Sequence, residues 1–474
     1  MCAVPLALAI PLTIPVGDAV AVAAPGGGGA QTAVGCPLES SGGAVSRPTS
    51  GGADGFRAPA LQFRGAHVVV HFVTSGADAP RAGDADRDGY PDYVEQIAAA
   101  ADEAIAFYAN PSFRGKGLRG FDTSFCDAAG RSNPNEDLDI YVKDMPSPGL
   151  AITPERGEDG AFLLIHPRLE RPRIHGGLRH TVAHELFHVV QFNYVPGGVP
   201  RWIAEGTANT MAFLFEGVDH ESLLRNVDRW FREPHLSLYH GGERGQGCDR
   251  CYGGTLFWGS THDQYGTITL LFERLQNVHL AGRPLRLGLT ELEDVFAEIY
   301  ERGGIFGVGR DALYLEMRTL AEGLLRIKYR PRAQPPPVRY TLQAVPRARS
   351  VDKTINGLAA HYVPIVVPAR AKGVEVSVTS RDAGPPPHLQ LGLGFRPTGD
   401  ANSLTRLRWS DPYLTDNRRR LAWRTVIATN LRSRRERNGI RLIVSSSRAS
   451  VARYRVTYRA CLARCTEHGE DVPE

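Results

Sequence analysis

The chain has 474 residues, 42% of them hydrophobic and 22% charged, which is typical of a globular protein with room for two or three domains. Beyond the N-terminal segment no run of about 18 apolar residues occurs, so a further membrane-spanning helix is excluded. The formal net charge of +4 conceals an asymmetry, because residues 331–474 carry 25 Lys and Arg against 11 Asp and Glu, whereas residues 1–330 carry 30 against 40. We therefore expect two separate units, of which the second is basic.

The N-terminal 60 residues are predicted to lie outside the folded part of the protein. In residues 1–23 an apolar run precedes Ala21-Val22-Ala23, an A-x-A cleavage pattern that indicates a secretory signal peptide. Residues 24–60 are rich in Gly, Ala, Pro and Ser, which is typical of a linker or pro-segment. The folded unit is expected to start with a β-branched strand at residues 66–73.

An acidic loop at residues 84–95 fits the calcium-loop template D-x-D-x-D-G-x-x-D-x-x-E at every ligand position, with Gly89 at the sharp turn. Residues 74–80 cannot form the entering helix of an EF-hand, and Pro91 lacks an N–H that paired EF-hands use. One fixed, structural Ca²⁺ is therefore predicted rather than a calcium switch; the alternative is an acidic turn that caps the following helix, residues 93–108. The predicted ligands are Asp84, Asp86, Asp88, Tyr90 through its carbonyl, Asp92 and Glu95.

The motif H-E-x-x-H occurs at residues 184–188, within an apolar segment that predicts a buried helix. Residues four apart lie on the same helical face, so His184 and His188 would offer two nitrogen ligands suited to tetrahedral zinc. Glu185 follows the first histidine, where a carboxylate can take a proton from water at the metal and act as the general base. Gln191 and Tyr194 stand where metzincins need Gly and a third His, so that class is excluded.

A second segment, residues 202–208, reads W-x-x-E-G-T-A and opens another predicted helix. It resembles the segment of gluzincin metallopeptidases in which a glutamate from a second helix completes a His₂Glu zinc site. By this resemblance Glu205 is the third ligand, the fourth position is open to water, and Asn209 hydrogen-bonds the first histidine.

The order of these parts also resembles a family of secreted bacterial proteins that are assigned as metalloproteases from their sequences, over about residues 65–330. The resemblance implies a substrate chain that pairs with an edge strand just before the zinc helix, and a residue that stabilises the oxyanion. Residues 161–165 are the expected edge strand, after another strand at residues 138–142. The candidates for the oxyanion role are Tyr252, His240 and His262, among which the sequence does not choose.

The remainder of the chain changes from helical to extended patterns. Helices are predicted at about residues 220–231, 253–278, 290–302 and 309–328. The Pro-rich residues 331–337 indicate a linker, and alternating runs within residues 338–474 predict a β-sandwich. The clearest runs are residues 361–367, 374–378, 421–427 and 440–444. The basic surface suggests an anionic cell-wall or surface polymer as a partner, the alternative being Arg-rich strands that are only solvated; no nucleic acid is expected.

Six cysteines remain when Cys2, within the signal peptide, is set aside. An even number in a secreted chain indicates disulfides. Proximity favours Cys248–Cys251 and Cys461–Cys465, which leaves Cys36 to pair with Cys126.

Together these patterns predict an α+β protein in which a gluzincin-like domain, residues 61–330, precedes an all-β sandwich, residues 338–474. The first domain would consist of a small sheet and the helices that carry H-E-x-x-H and the glutamate ligand. We expect a secreted bacterial endopeptidase, acting as a monomer on protein or peptide, with one catalytic Zn²⁺ and one structural Ca²⁺. The second hypothesis is a non-catalytic surface or adhesion protein that retains a degenerate peptidase domain. A strict aminopeptidase would need an acidic anchor for the substrate amine, and no motif supplies one.

Overall fold

The computed structural model of the chain is mixed α+β, with helices concentrated in the first part and strands in the second. The predicted signal peptide, the predicted Pro-rich linker and the predicted helices at residues 220–231 and 309–328 lie outside the described residues. The chain divides into two compact units, residues 1–34 and 35–474, and every described residue belongs to the second. The described residues are 55–56, 58–110, 125–126, 132–133, 137–145, 151–152, 162–169, 177–195, 199–216, 236, 254–255, 257–259, 267–281, 289–302, 340–357, 359–371, 373–381, 389–395, 406–409, 422–428, 440–446 and 451–462.

The first sheet has five strands in the order β1-β2-β5-β7-β6. Strands β2, β5 and β7 are parallel, while β1 pairs antiparallel with β2 and β6 pairs antiparallel with β7. The predicted strands at residues 66–73 and 138–142 are confirmed as β2 and β5. The bounds are β1 Leu61–Arg64, β2 Val68–Phe72, β5 Leu138–Val142, β6 Ala151–Ile152 and β7 Leu163–Ile165, and β3 Phe125–Cys126 and β4 Ser132–Asn133 form a separate small hairpin.

Strand β7 is not an edge of this sheet. It pairs with β5 on one side, and β6 covers its other side opposite Leu164 and Ile165. The prediction that residues 161–165 form the edge strand is therefore wrong. The cause is a partner strand of only two residues, which has no recognisable period in the sequence.

Five helices are described: α1 Asp92–Ala109, α2 Gly177–Tyr194, α3 Arg201–Glu216, α4 Thr267–Leu280 and α5 Leu289–Arg302. The helix predicted at residues 93–108 is confirmed as α1, and its buried face contains Val94, Ile97 and Ala101. One hydrophobic cluster joins α1, α2, α3, α4 and α5 to the inner face of the first sheet. Within the described residues, no helix combines the length and the apolar character needed to cross a membrane.

The opposite face of the first sheet is covered by a smaller apolar cluster that includes Phe56, Tyr141 and Phe162. Lys143 stabilises this cluster, because its Nζ donates one hydrogen bond to the carbonyl oxygen of Gly55 at 3.0 Å and another to the carboxylate of Asp78 at 2.9 Å. Residues 55–56, which belong to the segment predicted as a linker or pro-segment, therefore pack against the first sheet.

The C-terminal part contains two sheets, with the orders β13-β12-β15-β10-β8 and β14-β11-β16-β9. Inward residues of both sheets, such as Val363, Val376 and Val456, belong to one buried cluster. The other face of β10 supplies Ala360 and Tyr362 to the helical cluster of the first part. The bounds are β8 Leu342–Gln343, β9 Arg349–Ile355, β10 Ala359–Val366, β11 Gly373–Ser380, β12 Leu389–Phe395, β13 Arg406–Trp409, β14 Ala422–Ala428, β15 Ile440–Ser446 and β16 Ala452–Cys461.

Some of the basic charge in the C-terminal part is balanced within the sheet itself. Arg455 holds Asp352 through two hydrogen bonds, of 2.7 and 2.6 Å, and Arg459 holds Glu375 at 2.5 Å. At the end of β16, Cys461 is disulfide-bonded. The structure does not describe the side chains at the other five predicted disulfide positions.

Candidate metal centre

Helices α2 and α3 position the predicted zinc residues. Helix α2 is buried on almost all sides, and the ring of His184 is 9% exposed. His180 at the start of α2 contacts Glu216 at the end of α3. Gln191 near the end of α2 contacts Ala204 near the start of α3. The helices are therefore antiparallel, and His184 and His188 in the middle of α2 face Glu205 near the start of α3.

Three predicted ligand atoms converge to the spacing that a metal ion requires. The Nε2 atoms of His184 and His188 are 3.1 Å apart, and Oε2 of Glu205 lies 3.3 Å from the first and 3.8 Å from the second. Tetrahedral zinc with bonds of about 2.0–2.1 Å places neighbouring ligand atoms about 3.3 Å apart. The three residues therefore fit one face of a tetrahedral site with little movement.

The electrostatics of this cluster favour a positive charge at its centre. Burial lowers the pKa of His184, against the opposing effect of Glu205. Burial also acts to lower the pKa of His188, but the hydrogen bond and charge of Glu205 and the charge of Glu185 outweigh it and raise the pKa to about 9. Burial would raise the pKa of Glu205, yet the two histidines hold it well below its usual value. Without a metal the cluster retains a proton, and a cation can take the place of that proton.

Glu185 lies half-buried beside the first histidine. Its charge raises the pKa of both His184 and His188, so its carboxylate acts electrostatically at the centre of the cluster. The role of Glu185 as the general base stays a prediction.

Gln191, which stands where a metzincin would have glycine, is a further component of the site. Its side chain is 2% exposed, and its Oε1 lies 2.9 Å from Nδ1 of His188. Its Nε2 donates to the carbonyl of Ala204 and to the hydroxyl of Thr207, both at 2.9 Å. The signal that could have identified it is its spacing of three residues from His188, which places the two side chains on one helical face.

Asn209 takes a different partner from the one predicted. Its Oδ1 lies 3.2 Å from Nε2 of His180, one turn before His184, and its Nδ2 donates to Thr255 at 2.8 Å. Glu216 completes this buried group at 3.1 Å from Nδ1 of His180. The network joins the start of α2 to the end of α3, and no sequence motif marks His180 or Glu216.

Because Asn209 contacts His180 rather than a ligand, its replacement by alanine is expected to affect folding more than metal binding. We expect Asn209→Ala to lower the unfolding free energy by about 1–3 kcal/mol, because two buried hydrogen bonds are lost. The zinc dissociation constant should change little. Thermal unfolding of the metal-free protein and zinc titration would measure the two effects. A variant with normal stability and weakened zinc binding would restore the role inferred from the resemblance.

The acidic loop brings its predicted carboxylates together in two groups that share Asp86, namely Asp84–Asp86–Asp88 and Asp86–Asp92–Glu95. Oδ1 of Asp84 is buried and has no hydrogen-bond partner. The backbone N–H groups of the loop turn toward other carboxylate oxygens, and Gly89 has the positive φ of 94° expected at the sharp turn. Desolvation and the neighbouring aspartates raise the pKa of Glu95. An oxygen-ligated cation fits this arrangement.

The loop is also anchored to the sheet. The ring of Tyr90 packs edge-on against Phe63 of β1 at 5.1 Å and against Phe72 of β2 at 6.4 Å. No helix precedes the loop over residues 74–83, as predicted. The oxyanion candidates Tyr252, His240 and His262 lie outside the described residues.

The sequence matches no protein-family model and no curated protein sequence. Several solved structures are similar to parts of the chain. One is PliG of Aeromonas hydrophila, a periplasmic inhibitor of g-type lysozyme, with 10% identity over 26% of this chain and 97% of that chain and a TM-score of 0.16. Another is a protein of the disulfide-linked pili that form Bacillus endospore appendages, with 12% identity over 25% of this chain and 88% of that chain and a TM-score of 0.15. A third is the mitogen derived from Yersinia pseudotuberculosis, with 12% identity over 27% of this chain and 94% of that chain and a TM-score of 0.15. At these TM-scores the similarity carries no argument about fold or function.

Proposed function

We propose that the chain is a secreted, zinc-dependent endopeptidase of the gluzincin type, with a C-terminal β-sandwich. The observation that carries the proposal is the convergence of His184 Nε2, His188 Nε2 and Glu205 Oε2 at 3.1–3.8 Å, with Glu185 beside them. Two imidazoles and one carboxylate from adjacent helices are a ligand set of catalytic rather than structural zinc sites. A structural site would use a fourth protein ligand.

The proposed mechanism assigns one role to each residue. His184, His188 and Glu205 would hold a zinc ion, which would supply Lewis acidity at the scissile carbonyl and make water more acidic. The Glu185 carboxylate accepts the proton of the attacking water and then donates it to the nitrogen of the leaving amine. Burial of the cluster excludes bulk water and strengthens these charge interactions.

The direct test is digestion of casein and of an unbiased peptide library by the purified protein, with and without a zinc chelator, together with its metal content. We expect about one zinc per chain and internal cleavage that the chelator abolishes. Bound zinc without any cleavage would favour the non-catalytic surface protein. Cleavage restricted to N-terminal residues would favour an aminopeptidase.

We also propose that the acidic loop binds calcium independently of the zinc site. If its dissociation constant is about 10⁻⁴ M and free calcium is about tenfold higher, binding stabilises the fold by about 1.4 kcal/mol. Removing calcium with a selective chelator should lower the melting temperature and expose residues 84–95 to proteolysis, while zinc stays bound. Asp86→Ala combined with Asp88→Ala should remove the calcium dependence.

Glu95→Gln serves as a control, because it should raise the melting temperature of the calcium-free protein instead of lowering it. Since the pKa of Glu95 is raised, its ionised form destabilises the ion-free loop at neutral pH. The amide should therefore raise the melting temperature of the calcium-free protein and reduce the gain on adding calcium. A melting temperature that does not respond to calcium in the zinc-loaded wild type would leave the loop as a solvated turn.

The partners of the C-terminal part follow from its charge. Residues 331–474 carry 14 more Lys and Arg than Asp and Glu, which suits an anionic cell-wall or surface polymer. The in-sheet pairs of Arg455 and Arg459 neutralise part of that charge, so such binding would depend on other basic residues.

A further inference from the structure

We propose that Gln191 is a positioning residue that holds His188 in the neutral tautomer whose Nε2 can bind a metal at the cluster, and that it links this histidine to the helix carrying Glu205. The inference rests on the proposed zinc site and concerns a residue for which neither the motif nor the resemblance implies a role. The two ends of its amide reach the two ligand helices, and hydrogen-bond chemistry determines which end faces which.

The orientation of the amide follows from its neighbours on α3. The carbonyl of Ala204 can only accept a hydrogen bond, so the group 2.9 Å from it must be the amide nitrogen of Gln191. The Thr207 hydroxyl donates to the carbonyl of Ile203 at 2.7 Å and is therefore an acceptor toward the same nitrogen. A flipped amide would bring its oxygen against the Ala204 carbonyl, where two acceptors repel.

The tautomer of His188 follows from that orientation. With its nitrogen committed to α3, Gln191 presents Oε1 to Nδ1 of His188 at 2.9 Å, so this ring nitrogen must carry a proton. In the neutral ring, Nε2 then has a free lone pair directed at His184 and Glu205. The neutral tautomer with its only proton on Nε2 would bring an unprotonated Nδ1 against Oε1 of Gln191, where two acceptors repel, and is therefore disfavoured.

The same amide couples the position of Glu205 to that of His188. Ala204 immediately precedes Glu205, so the hydrogen bond from Gln191 to its carbonyl sets the position of the third ligand relative to the second. Partners of this kind, which orient ligands without touching the metal, typically change metal affinity about 10–100-fold when they are removed.

The experiment compares zinc affinity with the stability of the metal-free protein. Gln191→Met preserves the length of the side chain and removes all three hydrogen bonds of the amide. Its zinc dissociation constant, measured by chelator competition, should rise about 10–100-fold. Gln191→Glu retains an acceptor for Nδ1 of His188 but buries a charge and loses the donor to Ala204. It should bind zinc more tightly than Gln191→Met, although its metal-free form should melt at a lower temperature.

Two further variants serve as controls. Gln96→Met makes the same substitution at an exposed position of α1 and should change neither quantity. Thr207→Val removes one acceptor but leaves Ala204 to orient the amide, so zinc affinity should fall far less than in Gln191→Met.

If Gln191 is a positioning residue, ranking the variants by zinc affinity should give a different order from ranking them by the stability of the metal-free protein. If zinc affinity simply follows stability across these variants, with Gln191→Glu the weakest binder, the inference is wrong. Wild-type zinc affinity in Gln191→Met would also overturn it while leaving the proposed function intact. A wild-type protein that binds no zinc would contradict the proposed function itself, and the inference with it.

Discussion

Replacing Glu185 by glutamine is expected to reduce peptide hydrolysis by a factor of at least about 10²–10⁴, which is the usual contribution of a general base. The amide has the shape of the carboxylate but cannot accept the proton of the attacking water. Because Glu185 is not one of the three converging ligands, the variant should still bind about one zinc per chain. Hydrolysis of a quenched-fluorescent peptide and the metal content of the same preparation would measure both quantities.

The matched control is Glu103→Gln on α1, which loses only an exposed ion pair with Arg179. It should keep full activity. If Glu185→Gln loses its zinc, Glu185 is a ligand or a structural anchor and the proposed mechanism fails. If it retains wild-type activity, another residue is the base.

Replacing Glu205 by alanine is expected to abolish both high-affinity zinc binding and hydrolysis. The carboxylate is one of three converging ligand atoms, and two imidazoles alone leave half of the tetrahedral shell to water. Competition with a chromophoric chelator would measure the loss. Glu103→Ala should bind zinc as the wild type does, whereas unchanged zinc binding in Glu205→Ala would require a different third ligand.

The same variant tests the electrostatics of the metal-free site. Glu205 helps to raise the pKa of His188 to about 9, above the ordinary value of 6.5. A raised histidine pKa contributes stability that is fully present below about pH 6.5 and is lost as the pH rises to about 9. The metal-free wild type should therefore lose stability over this range, as followed by thermal unfolding, and Glu205→Ala should show a much smaller loss.

The sequence was sufficient where one element determines the outcome. The period of α1 and the spacing of His184 and His188 depend only on the geometry of a single helix, so both could be predicted. The approach of Glu205 to both histidines followed from resemblance to a known arrangement, and the distances support it.

The rest depended on how two elements pack against each other. Whether Asn209 meets His184 or His180 is decided by how far α2 and α3 slide along one another, which neither helix specifies alone. The role of Gln191 has the same origin, because its amide is oriented by a carbonyl on the other helix. The two-residue strand β6 could not be predicted because it is too short to have a period.

Tyr362 and Ala360 lie on a strand of the C-terminal part but are buried with the side chains of the helices around the metal cluster. The prolines at residues 335–337 therefore separate the two parts along the sequence, whereas one hydrophobic cluster contains residues of both parts. Strand β10 thus contributes to the same hydrophobic cluster as the two helices that carry the candidate metal ligands.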